Sequence, residues 1–419
     1  MNCRKILAAL LLAPLITLGH GMMQTAHGSG YAVFTQGATA LGQGNAVTAH
    51  TDGPYSIFYN PALITKLEGT QLEIGTTAIF SWHEFDSQRF PGQTTTDHET
   101  SFPSTFYVTH KFNDSFSAGL GVFNPFGLTT DWNNNWEGRA LATKSELTTF
   151  NFNPVLAYRV LPSLSLAAGI DVILLDATLE RRLPAGSLGG GLPATETGVK
   201  FNGNGTGVGY NVALAWDITD KVTLGASYRS EVQVGIDGKA STSPTMLVPV
   251  PGVGIVAPLD SYGTTSVRLP RQITAALAWQ VSDPLVVEAG MRWEGWTAFQ
   301  DLKITLDNGT TVTTERKWHN TWGMNVGGKY RLTKSVGLMG GYVFGANAVP
   351  NATFDPSIPD SDTHVFCIGT DYTYKQMKLA LSYAYQLYLD RTKNTIDGIA
   401  NGEYKSDAHL LALSLGYQF

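Results

Sequence analysis

The sequence predicts an all-β protein: a 14-stranded antiparallel transmembrane barrel with an N-terminal plug inside its lumen. Three observations carry that prediction. An export-type leader opens the chain, apolar residues alternate with small or polar ones over segments of roughly ten residues, and the connections are short and long in turn.

With 419 residues, 43% hydrophobic content and a mean hydropathy of -0.04, the chain is too polar for a helical membrane protein. It is also too rich in aromatics and glycine for a disordered one. Such a length would suit about two to three soluble domains, but a closed barrel absorbs it in one unit.

The leader has a basic start at Arg4 and Lys5, an apolar run from Ile6 to Leu18, and a small-x-small site at Ala26-His27-Gly28. Residues 1–28 read as a cleaved signal peptide, with the mature start near Ser29. The apolar run is too short for the about twenty residues of a membrane helix; a buried N-terminal helix is the competing reading. The mature chain carries 26 basic and 34 acidic residues, a net charge of -8, which excludes a general nucleic-acid binder. Cys3 leaves with the leader and Cys367 stands alone, so no intrachain disulfide or cysteine zinc site is expected. Export without disulfides suits the envelope of a Gram-negative bacterium.

The closing segment shows the alternation in its plainest form. Leu411, Leu413, Leu415, Tyr417 and Phe419 share one face, and Ala412, Ser414, Gly416 and Gln418 the other. A soluble sandwich also alternates, but its polar face carries more charge and threonine. The same test succeeds for Leu379 to Leu389, for Val208 to Ile218 and for Phe150 to Tyr158. Strands are predicted at 70–82, 103–113, 115–124, 147–160, 163–176, 206–218, 221–234, 266–281, 284–299, 318–332, 335–345, 363–374, 376–389 and 405–419. Tight turns fall at Asn113-Asp114-Ser115, Leu161-Pro162, Thr219-Asp220, Ser282-Asp283-Pro284, Thr333-Lys334 and Lys375, which reads as the periplasmic side. The intervening loops, 83–102, 125–146, 177–205, 235–265, 300–317, 346–362 and 390–404, are long, as external loops are. Trp82, Trp216, Trp279, Trp293 and Trp322 stand near strand ends, where interfacial girdles form. An even strand number returns the C-terminus to the periplasm.

Residues 29–69 do not alternate. Gly37, Gly42 and Gly44 separate stretches of small residues, and Tyr31, Phe34, Ile57, Phe58 and Tyr59 supply apolar anchors. A barrel of this size has room for an internal segment, since about eight strands are already filled by side chains alone. The expected organisation is therefore leader 1–28, plug 29–69 and barrel 70–419, against the alternative of a periplasmic tail.

Specific motifs add to this. Leu41-Gly42-Gln43-Gly44-Asn45-Ala46 followed by Tyr55-Ser56-Ile57-Phe58-Tyr59-Asn60-Pro61-Ala62 resembles the hatch of the FadL family, outer-membrane transporters of long-chain fatty acids and other hydrophobic compounds. Gly121-Val122-Phe123-Asn124-Pro125-Phe126-Gly127-Leu128-Thr129-Thr130, Trp136-Glu137-Gly138-Arg139, Asn153-Pro154 with Ala157-Tyr158-Arg159, and Trp293-Glu294-Gly295-Trp296 are similar to the same family. Leu63 departs from it, because many members carry glycine after Asn-Pro-Ala. The resemblance implies uptake without catalysis or cofactor: capture outside, desolvation in an apolar pocket, and lateral release into the outer-membrane lipid through a kinked third strand. Phe419 on its amphipathic strand also looks like the signal read by the barrel assembly machinery.

Within that frame the expected pocket comprises Phe58, Tyr59, Asn60, Pro61 and Ala62, with Phe123 and Phe126 nearby. Arg159 and Lys329 face the lumen by parity near the periplasmic ends of their strands. They are candidates for the carboxylate head of a fatty acid, against the commoner role of pairing with luminal carboxylates. Asn124, Pro125 and Gly127 are the candidate gate, because proline lacks a ladder N–H and glycine allows unusual backbone angles. The competing reading is that Pro125 only ends the strand.

Other functions fare worse on the residues. The histidines are dispersed, with no HExxH, and no GxSxG stands out. Gly203, Gly205, Gly207 and Gly209 lead into a strand and lack the Lys-Ser/Thr of a phosphate loop. An adhesin working through the long loops, a transporter specialised for aromatic hydrocarbons, and a diffusion porin for polar solutes are the remaining alternatives.

Overall fold

A sheet in lipid cannot leave an edge of unpaired N–H and C=O groups, so it must close on itself. The computed structural model describes residues 30–419 apart from 187–194, 244–246, 250–255, 259 and 396–397. The assigned leader lies outside the described residues. The wall is a closed antiparallel barrel of 14 strands. Its first strand, β1 (Thr70–Ser87), pairs with its last, β14 (Gly402–Gln418), from Gln71 opposite Gln418 to Ser87 opposite Gly402. Phe419 N donates to Thr70 O at 2.9 Å and finishes the seam.

Between them run β2 (Thr94–Ser101 with Ser104–Lys111), β3 (Phe116–Phe123 with Gly127–Asp131), β4 (Lys144–Leu161), β5 (Leu164–Leu183) and β6 (Thr197–Thr219). Next come β7 (Val222–Arg229 with Val232–Ser243), β8 (Ser261–Leu269 with Gln272–Ser282), β9 (Leu285–Glu294 with Asp301–Leu306) and β10 (Thr311–Glu315 with Thr321–Arg331). The circuit ends with β11 (Val336–Gly345), β12 (Thr363–Tyr374) and β13 (Met377–Tyr388). Alternation places the side chains as expected. Leu411 and Leu413 are each 47% exposed toward lipid, while Leu410 and Ala412 point inward at 2% and 0%. Trp82, Trp216, Trp279 and Trp322 face outward, and Trp293 is capped by the Arg271 guanidinium 5.5 Å from its ring.

The tight turns lie where the sequence places them, but the strands rise further than predicted. β1 runs to Ser87, and the predicted loop 83–102 contains the upper half of β2, paired with β1 from Ile79 opposite Ser101 to Asp86 opposite Thr94. The loops 177–205, 235–265 and 300–317 likewise hold continuations of β5 to β10. Alternation reports lipid contact, and above the bilayer the outer face meets water, so that signal fades while ladder bonding continues and the inner face still buries Phe201, Ile236 and Val267. Two further expectations change. β9 is interrupted after Glu294 instead of running on to 299, and a 3₁₀ turn, Trp296–Ala298, buries Trp296 completely before the strand resumes at Asp301. β3 does not end at 124 but resumes at Gly127.

The segment before β1 lies within the lumen. Helix α1 (Ala38–Gly42), helix α2 (Ser56–Tyr59) and a 3₁₀ turn, Pro61–Lys66, are too short to stand alone. They are held by bonds to strands around the whole wall. Ala38 N donates to Ser414 Oγ at 2.9 Å, and Ser382 Oγ donates to Ala38 O at 2.7 Å. The Glu288 carboxylate accepts from the amides of Thr48, Ala49 and His50 at 2.6, 2.9 and 3.2 Å. Asn60 Nδ2 donates to Leu214 O at 2.9 Å, and Asn60 Oδ1 caps Ala62 N at 3.0 Å, with Pro61 opening the turn. Leu63 is fully buried in that turn, in a cluster that includes the inward Ala157, Ala167, Ala213 and Ala215. A Cβ on Gly327 or Gly341 would overlap the Gln43 main chain, so the wall there must be glycine.

Candidate functional site

The wall is broken at β3. Its lower half pairs with β2 and β4, but its upper half pairs with β4 alone, and the register slips by one residue, from Phe123 opposite Asn151 to Gly127 opposite Thr148. One extra residue has been inserted, as in a β-bulge, and Pro125 within it has no N–H to give to a ladder. The freed groups turn into the lumen and bond the N-terminal segment. Val33 N donates to Pro125 O at 2.8 Å, Gly127 N donates to Tyr31 O at 2.9 Å, and Ala32 stands opposite Phe126. Asn124 bridges the seam, accepting from Ser104 N at 3.0 Å and donating to Thr149 O at 2.6 Å. Above it, Asp131 N donates to Asp97 Oδ2 at 2.9 Å, joining β3 to β2 through a side chain.

Two cavities flank residues 31–34. The upper one is walled by Leu128, Leu147, Phe201, Ile236, Val267 and Ile358 and bordered by Tyr31 and Arg316. Arg316 is buried; Nη1 pairs with Asp355 at 2.9 Å and Nη2 donates to Ser357 Oγ at 3.2 Å. Arg316 Nε, Tyr31 Oη and Thr265 Oγ1 have no hydrogen-bond partner among the described residues. Burial, opposed by Arg316, pushes the Tyr31 phenol above its usual range, so it stays a donor. An apolar chamber with donors at its border suits an amphiphile with an acceptor head.

The middle cavity takes Phe34, Phe58, Tyr59 and Pro61 from the N-terminal segment and Arg229 and Arg292 from the wall. Arg229 pairs with Asp171, which also accepts from Asn151 Nδ2 at 2.6 Å and Asn211 Nδ2 at 2.9 Å. The Arg229 guanidinium lies 5.6 Å from the Phe58 ring and 5.4 Å from that of Phe123. The Arg292 guanidinium carbon lies 3.1 Å from the Phe34 centroid.

The structure therefore divides the residues expected to form one pocket. Phe58, Tyr59 and Pro61 line the middle cavity, with Phe123 packed edge-on to Phe58 at 5.1 Å. Asn60 and Ala62 anchor and cap instead of lining it. Phe126 belongs to the upper cluster, 6.0 Å from Tyr31 and 6.3 Å from Trp296. Arg159 donates from Nη2 to Thr65 O at 2.8 Å, and Lys329 pairs with Asp52 and Asp371, which Lys378 shares. Both point inward, as parity required, but toward the N-terminal segment and wall carboxylates; neither lines the upper or middle cavity, and Lys329 lines a separate cleft with Asp52, Glu73, Asp371 and Lys378. The cations that line the upper and middle cavities are Arg229, Arg292 and Arg316. The first two had the same parity signal; Arg316 follows a short strand with no lipid-facing pattern.

Comparison with known proteins bears on the family and the fold. The model of a family described as outer membrane protein transport protein (OMPP1/FadL/TodX) matches residues 21–419. A putative outer membrane protein of Neisseria meningitidis serogroup B is 24% identical over 453 residues, covering 94% of this chain and 95% of the relative. The long-chain fatty acid transport protein of Escherichia coli O6:H1 is 24% identical over 404 residues, covering 88% and 90%. Among solved structures, a Pseudomonas aeruginosa FadL homologue superposes with a TM-score of 0.83 at 21% identity, covering 93% of this chain and all of that one. The P. putida toluene transporter TodX gives 0.75 at 18% identity, covering 91% and 98%.

Proposed function

The chain belongs to the OMPP1/FadL/TodX family of Gram-negative outer-membrane transporters of hydrophobic molecules, which are not enzymes, and from that premise we propose uptake of long-chain fatty acids with lateral release. A hydrophobic solute meets a polar outer leaflet, so it must be taken from water into an apolar chamber before it can reach hydrocarbon. The upper cavity serves as that chamber, with the acid head at Arg316, Tyr31 and Thr265 and the chain along Leu147, Phe201 and Val267.

The observation that carries the reading is the bonding of Tyr31, Ala32 and Val33 to the broken β3. Tyr31, which borders the cavity, is thus also one of the residues that close the gap in the wall. Movement of this strand frees both at once, and the cargo passes sideways into the outer-membrane lipid at Asn124, Pro125 and Gly127. Residues 29–69 act as the hatch of a barrel formed by 70–419, with 1–28 removed on export. Phe419 is the contact for the barrel assembly machinery. A diffusion porin is disfavoured by the filled lumen.

The experiment is uptake of a labelled long-chain fatty acid by cells lacking their own transporter. Replacing Pro125 and Gly127 by valine straightens β3, and uptake should fall to background while the barrel still reaches the membrane. Unchanged uptake would remove the lateral gate.

A further inference from the structure

The periplasmic mouth of the barrel is divided by charge. Arg331 at the end of β10, Lys334 in the turn that follows and Lys375 in the turn after β12 are all exposed, and neither turn carries an acidic residue. The turns after β2, β6 and β8 present Asp114, Asp220 and Asp283 against Lys221 alone. Lys111, beside Asp114, is taken up by Glu68 at 2.6 Å. On the basic side Arg331 and Lys334 have no ion-pair partner among the described residues, and Lys375 has the Tyr374 ring, 5.4 Å from its Nζ.

A cleft opens inside this basic arc, and it already holds a carboxylate carried on a loop. Asp52-Gly53-Pro54 of the N-terminal segment reaches it from the lumen. The Asp52 carboxylate is bound by Lys378 Nζ at 2.7 Å and by Lys329, which also pairs with Asp371. Gly337 makes room for that pairing, because a Cβ there would overlap both Asp371 and Lys329. Glu73, 3% exposed, lines the same cleft, and its Oε1 has no hydrogen-bond partner among the described residues. A buried acceptor left unpaired is costly until a donor comes to it. The cleft thus pairs a proven carboxylate seat with a waiting acceptor, and unpaired cations lead from it to the surface.

We propose that this cleft is a docking site for an acidic segment of a periplasmic protein. A carboxylate of the partner takes Lys329 and Lys378 from Asp52, a main-chain N–H of the partner reaches Glu73, and further acidic side chains lie on Arg331, Lys334 and Lys375. One carboxylate replaces another, so the wall keeps its ion pairs, while residues 52–54 are freed and the lower end of the plug is loosened. An anionic partner is drawn to one side of the mouth and repelled from the other, which fixes its orientation. The site concerns a partner and not the cargo, so it goes beyond the transport reading and does not depend on it.

Fluorescence anisotropy of a tagged hexa-aspartate peptide with the full-length protein in phosphatidylcholine nanodiscs tests this, with hexaserine as the uncharged probe and heat-modifiable gel mobility confirming a folded barrel. The wild type should bind hexa-aspartate and not hexaserine, and added salt should weaken the binding. Arg331→Glu combined with Lys334→Glu should lower the affinity by about tenfold or more. Lys303→Glu, on the exposed external part of β9, should leave it unchanged. Asp52→Asn, which withdraws the internal competitor, should raise the affinity several-fold. Equal affinity in the wild type and the rim variant, or no gain with Asp52→Asn, would overturn the docking site. Retention of phosphatidylglycerol in native mass spectrometry by the wild type and not by the rim variant, with no peptide bound, would assign the rim to lipid head groups and overturn it as well. Each of these results leaves the transport reading intact.

Discussion

Gln36 Nε2 donates to the main-chain carbonyl of Asn124 at 2.7 Å and to that of Val33 at 3.0 Å, with Gln36 and Asn124 both buried. One side chain thus ties the N-terminal strand to the break in the wall. Gln36→Leu leaves two buried carbonyls without that donor, at a cost of about 1–3 kcal/mol. The expected outcome is hydrogen exchange at the Val33 and Gly127 amides faster by about tenfold or more, with exchange in β13 unchanged. Equal protection in both proteins would show that the strand is held elsewhere.

The periplasmic end of the same segment is fastened by charge. Burial acts to raise Asp52, but Lys378 and Lys329 override it and hold the carboxyl well below its usual range. A carboxyl depressed in the folded state contributes stability above its unfolded value of about 3.9 and loses it only as pH falls through the lower folded value. Protease access to residues 50–55 should therefore stay low down to about pH 4 and rise below it, whereas Asp52→Asn should be open at neutral pH. Lys329→Met should act like Asp52→Asn on access yet leave fatty-acid affinity unchanged, since Lys329 lines neither cavity.

Capture depends on volume in the upper cavity. Ala177 lines it and is partly buried, so Ala177→Trp fills space the chain of the cargo would occupy. Affinity for long-chain acids should drop by about tenfold or more in a titration, while thermal stability in detergent stays close to wild type. Retained affinity would move the capture site away from this chamber.

Phe419 is 60% exposed toward lipid and packs on Tyr417 at 4.7 Å. Its deletion removes little from the finished barrel. Refolding in detergent should be near normal, but the amount of protein reaching the outer membrane in cells should fall several-fold, as read by surface labelling. Equal loss in both assays would make the residue structural instead.

The barrel was legible because lipid contact imposes a period on sequence, and Leu411, Leu413 and Leu415 obey it. What lipid does not touch was harder to read. The upper halves of β2 and β3 carry no such period, so Thr94–Ser101 and Gly127–Asp131 read as loop although they bond as strand. Parity alone pointed Arg159 and Lys329 inward but could not say that Thr65, Asp52 and Asp371 wait for them. The reverse held for Arg292, whose inward parity was visible and whose long 3.6 Å contact to Glu294 reflects how that carboxylate is shared. Phe123 and Phe126 were grouped as neighbours in one motif, yet the extra residue in β3 sends them into different clusters.

The central claim is that residues 31–33 must leave β3 for cargo to pass. Ala32 and Phe126 stand directly opposite each other across that contact, so Ala32→Cys with Phe126→Cys should form a disulfide on oxidation. Uptake of labelled long-chain fatty acid by cells carrying the pair should be near background when oxidised and return on adding reductant. Wild-type uptake with the disulfide fully formed would contradict the account.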